Sequence, residues 1–270
     1  MPYLILGAGY TGRRVVRILL AQGHRVIATT RSPDKLADLA EAGAAVWALD
    51  LLDADSRAEV AARIPDGVRV LHSVPTLRLD SGAEDPTPRI LDLLGDRPAR
   101  VVYLSSTGVY GNQNHIDETT PAAPSNAPQR LRRAAEERVL AGPWSALVLR
   151  PAAIYGPDRG MHISMQRGRY KLVGDGNTRV GTVHADDLAA LAAAALQSDL
   201  TGAFPVADAD PALRKERVAY VVERFGLPWP PSMPISEAHH TQRHARLIDA
   251  SFIWNALGVD LQYPSFRDAY

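Results

Sequence analysis

The sequence predicts an α/β fold built on a doubly wound parallel sheet. Two observations carry that prediction. Short apolar runs of strand character alternate with helix-patterned stretches through the first half of the chain, and a glycine triplet sits between the first run and the first helix. Strands alternating with helices of this length are the pattern of consecutive βαβ units.

Taken in order, "YLILGAG", "HRVIATT", "AAVWALD", "VRVLHSV", "ARVVYLSS" and "SALVLRP" each read as a buried strand. Between them, "RRVVRILLAQG", "PDKLADLAEAG", "DSRAEVAARI", "PRILDLLGD" and "QRLRRAAEERVLAG" repeat apolar residues at helical spacing and often end near a glycine. After Pro151 the pattern loosens. "YKLVGDGNTRV" predicts a hairpin around an Asp-Gly turn, "DDLAALAAAALQS" a helix with acidic residues at its start, and "GAFPVAD" a further strand. "RKERVAYVVERFG" places Val218, Val221, Val222 and Phe225 on one helical face. The expected division is a nucleotide-binding domain over 1–155 and a smaller substrate-side region over 156–270, with segments of the latter returning to the sheet.

Composition narrows the function classes. The chain has 270 residues, enough to bury a sizeable core, and 30 Lys+Arg balance 30 Asp+Glu, which gives no electrostatic case for nucleic acid or an anionic membrane. A small-molecule partner is expected, with the chain a monomer or a homodimer. Without cysteine there is no disulfide, no thiolate metal site and no thiol nucleophile. The apolar run in "MPYLILGAGYTG" is too short for a membrane span and lacks the basic start of a signal peptide, so a cytoplasmic protein is expected. Lys35, Lys171 and Lys215 are the only lysines; the other Lys+Arg positions are arginine.

The glycine triplet is Gly7, Gly9 and Gly12. In GxGxxG the first glycine permits a tight turn, the second lets backbone approach a pyrophosphate, and the third lets helix pack on strand, so the helix N-terminus faces the anion. The second strand ends at "ATTRS". An acidic residue here would grip a free ribose 2′-hydroxyl, whereas a 2′-phosphate needs a cation. Arg31 is that cation, with Ser32 and Lys35 as helpers, so NADP is favoured over NAD. Asp50 and Leu51 follow the third strand and are expected near the adenine, although Asp50 also suits a plain turn. Ser73, Val74 and Pro75 are expected along the cofactor's path.

At "VVYLSSTGVYG" the chain resembles the extended short-chain dehydrogenase/reductase superfamily, specifically the NAD-dependent epimerase/dehydratase family. "IDETTPAAP", "LVLRPAAIYGP", "LVGDGNTRVGTVHADDLA" and "LIDASFIWNALGVDLQYPS" fit the same family in order, so the resemblance spans essentially the whole chain. It implies a Rossmann domain, a smaller substrate region, and oxidation or reduction of a substrate carbon beside the nicotinamide, often in a nucleotide sugar. It also implies cofactor contacts at Tyr10, Thr11, Ser105, Pro151 and Ile154. Catalysis in the family uses a Ser or Thr after the fifth strand and a YxxxK pair on the next helix. Ser106 matches the hydroxyl, with Thr107 beside it.

The YxxxK pair is absent. Aligning Glu136 with the acidic residue that often follows the lysine puts Pro128 at the tyrosine and Arg132 at the lysine; the neighbouring register gives Gln129 and Arg133. There is no tyrosine between Tyr110 and Tyr155, and no lysine between Lys35 and Lys171. Arginine can still supply charge and ribose hydrogen bonds, with different geometry. Proline removes the proton donor. The helix is otherwise sound: Asn126 or Ser125 can cap it, Pro128 suits its first turn, and Leu131, Ala135 and Val139 share a face. Arg132 with Glu136 and Arg133 with Glu137 have i,i+4 spacing, expected on a solvated face.

Two readings follow, ahead of a third in which the protein is a plain scaffold without cofactor. In the first, the protein is an NADP(H)-dependent oxidoreductase or epimerase-like enzyme in which Ser106 orients a carbonyl, Arg132 stands in for the lysine, and Tyr110 is the replacement acid. In the second it is a non-catalytic NADP(H)-binding regulator. His115, Glu118 and Tyr155 are further candidates for proton transfer, although Tyr110 and Tyr155 also suit wall positions. His184, Asp186 and Asp187 read as a loop and helix start rather than metal ligands. Arg159, Arg167 and Arg179 are weak candidates for binding an anionic group.

Overall fold

The computed structural model describes residues 1–80, 82–238, 242–243 and 245–270, with backbone only at Arg78. Its centre is a seven-stranded sheet of β1 (Tyr3–Leu6), β2 (Val26–Thr30), β3 (Ala45–Ala48), β4 (Val68–His72), β5 (Pro98–Leu104), β6 (Ser145–Pro151) and β7 (Gly202–Val206). Every pairing is parallel, in the order β3-β2-β1-β4-β5-β6-β7. The order reverses between β1 and β4, and in open α/β sheets ligands bind beyond the strand ends at that point.

The strands alternate sides, which sorts the core into two layers. Ile5, Val102, Leu147 and Leu149 face α1 (Tyr10–Ala21), α2 (Ala37–Glu41), α7 (Ala185–Gln197) and α9 (Ser251–Leu257). Leu4, Leu6, Val101 and Val148 face α3 (Ala54–Arg63), α4 (Thr87–Leu94) and α5 (Ala127–Leu140). Small side chains on α7, including Ala189, Ala192 and Ala193, are buried and let that helix lie close to α1 and the sheet. Beyond the sheet, α6 (Met161–Gln166) and α8 (Arg214–Phe225) share a separate cluster containing Met165, Leu172, Val218 and Val221.

All six strands expected before Pro151 form, and β7 joins the sheet from the later half. The hairpin expected in "YKLVGDGNTRV" does not. Leu172–Val173 instead pairs in parallel with Ser232–Met233. Asp175 accepts the Asn177 N–H at 2.9 Å, and Gly174 and Gly176 have φ of 59° and 73°, so the chain turns here. Its second arm leaves to bridge Arg179 with Leu213.

On α5, Asn126 is the cap, its Oδ1 accepting the Gln129 N–H at 3.1 Å. The Arg133–Glu137 pair forms at 3.0 Å, but the Arg132–Glu136 pair does not. Glu136 points inward and is fully buried. Its Oε1 accepts from Ser105 Oγ at 2.5 Å and from Arg150 Nε at 3.0 Å; its Oε2 accepts from Arg150 Nη2 at 2.7 Å. Arg150 also donates to Tyr110 Oη at 3.1 Å. One carboxylate and one guanidinium thus join α5, β6, the end of β5 and the turn after it.

Breaking a buried ion pair from one side leaves an uncompensated charge. Glu136→Ala or Arg150→Met alone is therefore expected to destabilise the fold by about 3–5 kcal/mol, and Glu136→Leu with Arg150→Met by clearly less than the sum, in urea unfolding. A second test concerns Asp208, just past β7. Burial pushes its carboxyl up to about 6 from an ordinary 3.8, against the pull of Arg217. Because the folded value lies above the unfolded one, Asp208's contribution to stability is complete below about pH 4 and is lost as pH rises through about 6. Stability measured from pH 4 to 7 should show Asp208→Asn gaining on the wild type as pH rises.

Candidate functional site

The glycine turn connects β1 to α1 and is held by two hydroxyls. Thr29 Oγ1 accepts the Gly7 N–H at 3.2 Å, and Ser73 Oγ donates to the Gly7 carbonyl at 2.7 Å. Gly7 has φ of +85°. A Cβ on Gly12 would sit 2.5 Å from the Gly7 carbonyl oxygen, so only glycine allows this approach of helix to turn. Gly9 is different: a Cβ there would meet no heavy atom within 4 Å. The turn presents backbone to open space, the form a phosphate cradle requires.

That space is a cavity of about 580 Å³ lying across the carboxyl ends of β1, β2, β3 and β4. Of the expected cofactor residues, Gly7, Gly9, Tyr10, Arg31, Asp50, Leu51, Ser73, Val74 and Pro75 line it. Asp50 is also a turn residue, its Oδ1 accepting the Leu52 N–H at 2.9 Å. Lys35 is on the wall, whereas Ser32 is not. Thr11 and Gly12 lie behind the wall in the first turn of α1. Arg13, Thr29, Leu49 and Leu77 were not anticipated. Arg13 was discoverable: it lies four residues after Gly9, one helical turn along the same face.

The residues implied at the catalytic end are further on. Ser106 caps a 3₁₀ turn, Thr107–Tyr110, with its Oγ accepting the Gly108 N–H at 3.1 Å. Tyr110 is fully buried in the Glu136–Arg150 network. Burial raises its phenol pKa, with the Arg150 charge acting in the opposite direction. Ser105 spends its hydroxyl proton on Glu136. Arg132 donates to Tyr103 Oη at 2.7 Å and to Thr76 Oγ1 at 3.0 Å, so its charge stands beside the segment that follows Ser73, Val74 and Pro75. Burial pushes Tyr103 up to about 12 despite Arg132, and burial with the Arg132 charge lowers the neighbouring His72 to about 3, which keeps that imidazole neutral. Pro151 ends β6, and Ile154 lies in Ala153–Tyr155, paired with Thr182–His184. Neither lines the cavity, nor do Ser105 and Arg132.

The other candidates are dispersed. His115 and Glu118 are exposed. Tyr155 is buried, edge-on to His184. His184 caps α7, accepting the Asp186 N–H at 3.3 Å, while Asp186 pairs with Arg14 and Asp187 accepts the Gln262 and Tyr263 N–H groups. Arg159 lies 5.5 Å from the Tyr10 ring centre, and Arg179 donates to the Pro211 carbonyl. Arg167 follows the end of α6.

Comparison with known proteins fits this geometry. Residues 3–206 match the model of the NAD dependent epimerase/dehydratase family. The chain is 28% identical over 309 residues to a Streptomyces 3-diazoavenalumate denitrifying reductase, covering 99% of this chain and 98% of the relative. A conserved protein of unknown function from Silicibacter pomeroyi shares 32% identity and superposes with a TM-score of 0.80, over 99% and 96% of the two chains. The same fold, at 19% and 17% identity, is found in MoeE5 bound to UDP-glucose and NAD, with a TM-score of 0.81, and in human epimerase family protein SDR39U1 bound to NADPH, with 0.79. The match covers 99% of this chain and 95% of MoeE5, and 100% and 97% for the human protein. The chain belongs to the NAD dependent epimerase/dehydratase family.

Proposed function

We propose that this protein is an NADP(H)-dependent oxidoreductase or epimerase-like enzyme acting on a small molecule. The observation that carries the reading is the cavity: open space before Gly9 at one end of the β1–α1 turn, and Arg31 with Lys35 on the wall after β2. Neither cation has a carboxylate partner among the described residues. Thr30 ends β2, so no acidic side chain stands there to grip a 2′-hydroxyl or repel a 2′-phosphate. Proteins of this fold carry either cofactor, as MoeE5 with NAD and the human protein with NADPH illustrate, so the choice of NADP rests on Arg31 and Lys35.

When bound, the nicotinamide cofactor donates or accepts a hydride. The chain's own part is to bind and orient. Ser106 accepts from the Gly108 N–H and, among the described residues, its hydroxyl proton has no acceptor, which leaves it for a substrate oxygen. Arg132, anchored on Tyr103 and Thr76, is the positive charge that this reading puts in the lysine's role. A positioned general acid contributes about 10²–10⁴-fold. Helix α5 carries none, and the Tyr110 phenol is fully buried, which argues against the replacement role expected for it. The protein's contribution in this reading is orientation and charge. The Streptomyces relative is named a reductase, which supports redox chemistry over isomerisation without it. The missing tyrosine also favours a second reading, a non-catalytic NADP(H)-binding regulator.

Thermal unfolding with each cofactor tests the first reading. NADP⁺ is expected to raise the melting temperature more than NAD⁺ does, and Arg31→Met to reduce that preference, by a loss of about tenfold or more in NADP⁺ affinity. Equal or greater stabilisation by NAD⁺ refutes the 2′-phosphate site. Hydride transfer from NADPH that is lost in Ser106→Ala removes the regulator reading.

A further inference from the structure

Arg31 and Lys35 approach the cavity from the segment after β2, and a third cation reaches the same wall from α1. Arg13 lines the cavity with them. Its Nη1 donates to the Lys35 carbonyl at 2.9 Å and its Nη2 to Asp38 Oδ1 at 2.6 Å. The other Asp38 oxygen accepts from Arg17 Nη2 at 2.6 Å. Asp38 is the one carboxylate bonded to any of the three wall cations among the described residues, and it is shared between two arginines.

A guanidinium carries five N–H donors in a planar fork. Two of Arg13's are spent fixing it to the segment that carries Lys35, and among the described residues three remain. Its side chain is 34% exposed, so the head is partly held yet still reachable. Much of the rotamer entropy of a long side chain is then lost before a ligand arrives, which favours binding. A phosphate monoester brings close to two negative charges and three acceptor oxygens, the match for two forked donors and one point cation.

We propose that Arg13 is the third cation of the 2′-phosphate site, with Asp38 and the Lys35 carbonyl as the groups that hold its guanidinium there. The proposal rests on the NADP reading above and adds a selectivity residue to it. The competing role is a plain clasp between α1 and the segment after β2, which would affect all nucleotides alike.

Calorimetric titration with 2′,5′-ADP and 5′-AMP separates these roles without any turnover assay. The wild type is expected to bind 2′,5′-ADP the more tightly. Arg13→Met should weaken 2′,5′-ADP by about ten- to a hundred-fold, the worth of a charge-assisted hydrogen bond, and 5′-AMP by less than about twofold. Arg13→Lys, which keeps the charge and loses the fork, should fall between wild type and Arg13→Met for 2′,5′-ADP alone, and it serves if the methionine variant does not fold. Equal losses for both ligands, or none for 2′,5′-ADP in a folded variant, overturn the proposal. If the wild type itself does not distinguish the ligands, the NADP reading fails first.

Discussion

The buried pair of Glu136 and Arg150 is the interaction on which the far end of the site depends. Glu136 comes from α5 and Arg150 from β6, and between them they take up the hydroxyls of Ser105 and Tyr110 on either side of Ser106. Two charges withdrawn from water are costly unless each finds the other with good geometry and satisfied neighbours. Here both Glu136 oxygens are bonded, and Arg150 places all three of its nitrogens on Glu136 or Tyr110. The network fixes the turn that presents Ser106, and it does so without the YxxxK pair. It also uses the two hydroxyls flanking Ser106 as structural parts.

This separates two jobs that the sequence pattern runs together. The helix that bears the family's tyrosine and lysine also braces the sheet, and α5 has kept the second job. Asn126 caps it, Ala135 and Val139 pack it, and Glu136 locks it to β6. Arg132 remains as a charge on Tyr103 and Thr76, close to the segment after β4 that runs along the cavity. The cavity is built entirely from other elements, so its form does not depend on what happened to the tyrosine.

Much of this was legible in the sequence because the signals are local. Strand runs, helical spacing and the GxGxxG triplet each act over a few residues, and together they determine the sheet and the cavity's floor. What was not legible depends on partners distant in sequence. Glu136 at i,i+4 from Arg132 looks like a surface pair until β6 brings Arg150 against it. "GDGN" is turn chemistry, but whether its flanks pair with each other is decided by Ser232–Met233, about sixty residues on, which takes Leu172–Val173 instead. Arg13's spacing from Gly9 points it toward the turn, but what holds its guanidinium emerges only when the segment after β2 folds back onto it through Lys35 and Asp38. The hydroxyl of Tyr110 looks available for proton transfer until the fold buries it completely.

The proposed reading has an NADP(H) site beside a candidate catalytic end that lacks the family's tyrosine. A crystal structure with NADP⁺ bound tests it most directly. The 2′-phosphate is expected among the side chains of Arg31 and Lys35, the pyrophosphate against Gly9, and Tyr110 still bonded to Arg150. A 2′-phosphate left in solvent, or a Tyr110 hydroxyl turned out of the Glu136–Arg150 network towards the nicotinamide, would contradict it.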